Sequence, residues 1–414
     1  MLTFEIAKTH LLSKPKQTLV AMMGVTFGIG MFIAMVSLMT GLNNFTEELT
    51  MTSTPDIRIF NDITRERLSL AEEWNPEGIN QVHHQKPKNE TAKLRNAFQI
   101  ASDIRTNPMV LGAAPQLSSQ VFYNYGPVQL NGMIAGVDIM EEDKLFDLRA
   151  KIKSGRLEDL LSTPDGLIMG SGLARKLNVQ VGDRVVITTP QGFTMSLRIV
   201  GVFQMGLGAI DNIKSYANIS TVQNIMQKDR SYITEINIKL KDTHQAKPLA
   251  QEMEKVYGYR AEDWETANAT MLTGVVVRNI MTYSVSITLL IVAGFGIYNI
   301  LNMTIYNKMK DIAILKATGF ASNDVREIFL IQSLVIGFLG SLLGLMVGFG
   351  LSYLISLAPF DGGEFISITQ LPVNFSPTYY IIGIIFGVST TAIAGYMPAR
   401  KAGKIDPIEI LRGV

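Results

Sequence analysis

The chain contains no cysteine, which excludes disulfides, thiolate metal sites, a cysteine nucleophile and a lipid-modified N-terminal cysteine. Charge is also scarce. Only 18% of the residues are Asp, Glu, Lys or Arg, against about 25% in an ordinary soluble domain, so much of the surface does not face water. Neither sign dominates: 37 Lys and Arg stand against 36 Asp and Glu, without the basic excess of a nucleic-acid binder. No G-x-x-x-x-G-K-[ST] occurs, so the chain has no phosphate-cradling loop of an ATPase, and H-E-x-x-H and G-x-S-x-G are missing too. No catalytic residue is assigned, and the chain reads as a non-enzyme. His83-His84 sit in a polar stretch without further ligands, and no metal site is expected there.

What is present is a set of long uncharged runs. Gln17 to Thr46, Asn279 to Asn307, Ile328 to Pro359 and Phe365 to Ala399 carry no Asp, Glu, Lys or Arg, the last being interrupted by a polar turn around Gln370 to Pro377. About 20 apolar residues in a helix cross the roughly 30 Å of bilayer hydrocarbon, which predicts four spans, at about 18–42, 277–305, 328–357 and 378–397. The first run is too long for the roughly 7–15 apolar residues of a signal peptide, so it is expected to be retained as a span. Lys8, Lys14 and Lys16 precede span one; Lys308, Lys310, Lys316 and Arg326 lie between spans two and three; Arg400, Lys401, Lys404 and Arg412 follow span four. The positive-inside rule puts these three segments in the cytoplasm. The loop between spans three and four and the long segment from Asn43 to about Gly274 are then outside.

That outer segment reads as a mixed α+β domain. Strand-like alternation or β-branched enrichment marks Asp56–Phe60, Gln120–Tyr125, Val128–Val137, Arg184–Thr189, Thr194–Phe203 and Thr234–Leu240. Helical periodicity marks Thr91–Arg105, Ser171–Leu177, Thr221–Gln227 and His244–Val256. Residues 61–90 are polar and predict a mobile insertion. No internal repeat of fixed period is present.

Inside the spans, Gly340, Gly344 and Gly348 recur every four residues, as do Gly24 and Gly28; such faces let helix backbones approach closely. Met22, Met23, Met31, Met35 and Met39 make span one flexible and polarizable. The spans are expected to carry no buried Asp, Glu, Lys or Arg of the kind that marks an ion path, which disfavours an ion-coupled carrier. After span two, Ile312, Ile314, Leu315 and Ala317 alternate with Lys308, Lys310, Asp311 and Lys316, which predicts a short amphipathic helix on the inner membrane face. Gly319 is expected to end it, and Ser322 or Asn323 to cap the next helix.

The stretch KMKDIAILKATGFASNDVREIFLIQSLVIGFLGSLLG, Lys308 to Gly344, resembles the FtsX-like permease domain of the MacB and LolC/LolE superfamily of ABC transporters. The tail MPARKAGKIDPIEILR, Met397 to Arg412, is similar to the C-terminal motif of that family. In the outer segment, DGLIMGSGLARKLNVQVGDRVVITTP, SLRIVGVFQMG and DIRTNPMVLGAAPQLSSQVF resemble further family segments in the same order. One departure is Asp311, where the family commonly has Glu.

The resemblance implies an α-helical membrane protein with four transmembrane helices and a large extracytoplasmic α+β domain between the first two. That domain, about 43–274, would have a porter and Sabre arrangement with the Sabre part near 155–208; the permease domain would cover about 280–407. Residues 1–17, 306–327 and 398–414 would be an N-terminal segment, the coupling segment and a C-terminal tail, all cytoplasmic. The expected partners are two copies of a separate ABC ATPase, which would use ATP and Mg, and a second permease chain, same or homologous; the chain itself would bind no cofactor. Lys308, Lys310, Asp311, Ile312, Leu315, Lys316 and Gly319 would dock the ATPase, with Ile312 and Leu315 in its groove. Lipoprotein or other amphipathic cargo would leave the outer leaflet of a bacterial inner membrane by mechanotransmission, past an apolar wall of Met35, Leu38, Met39, Leu42, Ile280 and Tyr283. A long hook that captures a periplasmic chaperone in LolC is replaced here by about six residues, PQGFTM. A MacB-like or DevC-like efflux permease with an adaptor and an outer-membrane duct is therefore the alternative, and an FtsX-like regulator of cell-wall hydrolases the third.

Overall fold

The computed structural model describes residues 2–13, 15–63, 92–360, 362–363 and 370–412. The polar insertion and His83-His84 fall almost wholly outside the described residues. The described residues form two compact units, one within Met1–Thr46, Thr273–Phe360 and Thr369–Val414, the other within Glu47–Leu272 and 361–368.

The first unit is helical. Four of its helices are long and apolar enough to cross a membrane: Pro15–Ser53, Ala269–Asn307, Ser322–Leu357 and Pro377–Gly403. The first two have 39 residues each, about 58 Å of helix at 1.5 Å per residue, nearly twice the hydrocarbon thickness. The glycine repeat in span three acts as expected. Cβ atoms added at Gly340, Gly344 and Gly348 would lie 2.8, 2.9 and 2.8 Å from the Cβ atoms of Val25, Ile29 and Ile33. Two rows with a four-residue repeat thus interlock, ridge into groove, and only glycine permits the approach. In span one the expectation for Gly24 and Gly28 is corrected. Nothing lies within 4 Å of a Cβ at Gly24, and one at Gly28 would make an ordinary 3.5 Å contact with Ala293; the close glycines are Gly30, against Val347 at 3.2 Å, and Gly41, whose Cβ would run into the backbone of Pro372 and Val373. Spans three and four meet through small residues, with Gly337 against Thr391, Gly387 against Ser341 and Gly395 against Ser333. Ser341 and Thr391 donate their hydroxyls to the carbonyls of Gly337 and Val388 on their own helices, at 2.6 and 2.9 Å, so these two hydroxyls are satisfied without water.

The second unit is built on ten described strands: β1 (Ile57–Phe60), β2 (Val110–Tyr125), β3 (Val128–Val137), β4 (Ile152–Gly155), β5 (Gly166–Gly170), β6 (Arg184–Thr188), β7 (Thr194–Phe203), β8 (Lys214–Asn218), β9 (Glu235–Leu240) and β10 (Arg260–Asp263). The order β10-β1-β9-β2 is antiparallel. The 16-residue β2 then changes partner: residues 110–116 pair with β9 and residues 117–125 with β3. From there β3 pairs β8, β8 pairs β5, β5 pairs β7, β7 pairs β6 and β6 returns to β2. This ring is a closed six-stranded barrel with no free edge. Alternate residues fill it: Val121 and Tyr123, Val185 and Ile187, Leu197 and Ile199, Leu167 and Met169 are all fully buried, as the two-residue period of a strand requires. Helices Ala97–Ile104, Ser171–Leu177, Ile219–Ile225 and Ala246–Tyr257 occur within or next to the predicted segments. Asp56, just before β1, is buried. Its carboxylate accepts from Lys239 Nζ at 2.7 Å and from the Leu240 amide at 2.8 Å.

Candidate functional site

The amphipathic segment after span two forms the helix Met309–Ala317. Gly319 has φ of +108°, and the Phe320 amide returns to the Leu315 carbonyl at 3.2 Å, so the glycine ends the helix as predicted. The start of span three differs from expectation. Its N-cap position is Ala321, and Asp324 accepts from the Ala321 amide at 2.8 Å. A carboxylate in the first turn thus does the work expected of Ser322 or Asn323.

The residues expected to dock the ATPase divide into two groups. Ile312 is fully buried in a cluster with Ile305, Val325, Phe329, Ala399 and Ala402. It packs the short helix against the chain's own spans, whereas the expectation had Ile312 in the ATPase groove. Lys316 donates to the carbonyls of Gly403 and Ile405 at 3.1 and 2.7 Å, a cation at the C-terminal end of the span-four helix. Asp311 is paired with Lys308 at 2.8 Å and Leu315 is half-buried. What remains outward is Lys310, Asp311, Gly319 and the apolar Ile314 at 53% exposure. The sequence pattern could not separate Ile312 from Ile314, because both sides of so short a helix carry isoleucine.

The six residues assigned to the cargo wall all lie in the helical unit. Ile280 and Tyr283 are 60% and 56% exposed, whereas Met35, Leu38, Met39 and Leu42 are half-buried. At this end spans one and two are clamped by polar groups: Asn43 Nδ2 donates to Asn279 Oδ1 at 2.9 Å, and Arg278 Nε donates to Asn43 Oδ1 at 3.0 Å. Sequence reasoning passed over this triad, although an arginine and two asparagines at the ends of apolar runs were its visible signal. Among the described residues, no group of three or more His, Asp or Glu is placed to hold a metal ion.

Four helices long and apolar enough to cross a membrane thus stand beside a mixed α and β unit. Residues 18–256 match the family model of the MacB-like periplasmic core domain, and residues 283–407 that of the FtsX-like permease C-terminal domain. The chain belongs to this family and is a permease subunit of the ABC-transporter type. It is 28% identical to the lipoprotein-releasing system transmembrane protein LolC of Xylella fastidiosa, over 74% of this chain and 79% of the relative. It is 25% identical to LolC of Haemophilus influenzae over 95% and 93%. A macrolide export ATP-binding/permease protein MacB, from Rhodopseudomonas palustris, is 25% identical over 75% of this chain and 48% of its own length. The crystal structure of the periplasmic region of MacB from Actinobacillus actinomycetemcomitans aligns with 54% of this chain and 94% of its own, at 16% identity and a TM-score of 0.34.

Proposed function

We propose that this chain is the membrane subunit of a LolC-like ABC transporter that releases lipoprotein or similar amphipathic cargo from the outer leaflet of a bacterial inner membrane. A separate ATPase, in two copies, supplies the energy, and a second permease chain completes the pathway. The α/β unit faces the periplasm and both termini the cytoplasm, as the Lys and Arg distribution requires. The observation that carries the reading is the wall at the Asn43–Asn279 end of spans one and two. Exposed Ile280 and Tyr283 and half-buried Met35, Leu38, Met39 and Leu42 offer an acyl chain a largely apolar and adaptable surface, while the Arg278 guanidinium beside it is held by Asn43. ATP-driven movement of the Met309–Ala317 helix, received through Ile314 and Lys310, is carried by the buried Ile312 cluster into spans two to four.

The short connection between β6 and β7 supports a second reading. Thr189 and Phe193 close it with a 2.9 Å backbone bond, and so compact a turn suits an adaptor of a MacB-like or DevC-like efflux assembly better than a chaperone-capturing hook. Photo-crosslinkers at Met39 and Ile280 in native membranes test the proposal. Capture of an acylated protein supports lipoprotein release. Capture of bulk lipid alone, with cargo captured only from the α/β unit, removes the intramembrane pathway.

A further inference from the structure

A groove of about 360 Å³ runs between the N-terminal helix Leu2–Ser13, the start of span one and the flank of span three. Its walls are hydrocarbon: Phe4 and Leu12 on the short helix, Leu19 and Met22 on span one, Val335 and Leu339 on span three. Phe4, Leu12, Leu19 and Leu339 are each more than 40% exposed, so the chain leaves this channel uncovered at the level where the first and third spans begin. Its volume falls in the lower range of small-ligand sites, which start at about 300 Å³. One charged residue lines it, Lys8, and no carboxylate does. Lys8 makes no ion pair with any described residue, although Glu5 lies three positions away on the same helix.

An apolar channel open to the side, with one unneutralised ammonium on its lining, has the chemistry of a lipid that is anionic at its head and aliphatic behind. We propose that the groove binds one acyl chain of an anionic phospholipid from the leaflet nearer the N-terminus, with Lys8 paired to its phosphate. The inference requires that the four apolar helices cross a bilayer; it does not depend on which cargo the protein moves. A bound chain fills the space between Leu12 and Leu339 and fastens the N-terminal helix to span three. A soluble anion alone would leave that apolar surface uncovered, so the site is committed to a membrane lipid.

Because the chain has no cysteine, Leu12→Cys in the full-length protein carries a single small fluorophore at the groove. The labelled protein is placed in phosphatidylcholine nanodiscs that contain increasing fractions of brominated phosphatidylglycerol or brominated phosphatidylcholine. One lysine near an anionic headgroup predicts half-quenching at about a fivefold lower mole fraction of the glycerol lipid. Lys8→Gln should abolish that preference while leaving residual quenching by both lipids. Leu339→Trp, which fills the channel without touching the charge, should lower quenching by both. Equal half-quenching by the two lipids in the parent, or a preference that survives Lys8→Gln, overturns the proposal. Relief of the quenching by soluble glycerol phosphate also overturns it, because the site would then bind the headgroup alone.

Discussion

Glu142 offers a quantitative test of the α/β unit. It lies on the helix Ile139–Phe146, whose start is capped by Asp138, and its side chain is fully buried with neither carboxylate oxygen hydrogen-bonded among the described residues. Burial pushes its pKa from an ordinary 4.5 up to about 7; Lys214 opposes the rise and Glu235 adds to it. The folded state therefore holds the proton more tightly than the unfolded chain. Stability is full below about pH 4.5, declines as the pH rises towards 7, and is level above that, with a total loss of about 3 kcal/mol at 1.36 kcal/mol per unit. Glu142→Gln removes the titration and keeps the shape. At pH 8 the variant should be more stable than the parent by about 3 kcal/mol, and at pH 5 most of that difference should be gone. Urea unfolding of the full chain, read from the buried Trp264 in a Trp74→Phe background, measures the two values. A gain from Glu142→Gln that is the same at pH 5 and pH 8 would refute the argument.

Three further outcomes follow from packing and pairing. Asp56→Ala leaves the Lys239 ammonium buried without its partner and should destabilise the α/β unit by about 3–5 kcal/mol, read by the same unfolding assay. Gly344→Leu drives a side chain into Ile29 and should cost about 1–3 kcal/mol in thermal unfolding in detergent, whereas Gly24→Ala, in open space, should cost nothing measurable. Ile314→Asp should reduce co-purification of the ATPase without loss of fold. Ile312→Ala should instead destabilise the helical unit by about 2–5 kcal/mol; the opposite pattern would return Ile312 to the docking surface.

The spans were legible because a missing charge is a local property, and a run of about 20 uncharged residues has few other uses. Strands rich in β-branched residues were legible for a similar reason: Arg184–Thr188 reads Arg-Val-Val-Ile-Thr, and its exposed and buried positions alternate in the fold. Gly166–Gly170 is buried at every position between β7 and β8, and a strand covered on both faces has no alternation to read. Lys214–Asn218 (KSYAN) and Arg260–Asp263 (RAED) carry no β-branched residue to mark them as strands. Closure of the barrel was beyond local reading altogether. It depends on β2 exchanging β9 for β3 near residue 116 while Phe122 to Asn124 also receive β6 from some 60 residues away, and no window of sequence records such a pairing.

At the helix Met309–Ala317 the same limit applies. Composition identified the segment, its terminal Gly319 and its charged residues, all of which are intrinsic to the chain. It could not say which apolar residue is spent internally, because that depends on Val325, Phe329, Ala399 and Ala402 arriving from two other helices. Once they arrive, the division of labour is set. Ile312 packs the helix against the spans, Lys316 ties it to the end of span four, and Ile314 is left as an exposed apolar side chain. A force applied at Ile314 therefore reaches spans three and four through a fully buried residue only two positions away. A partner that gripped Ile312 would first have to break that cluster.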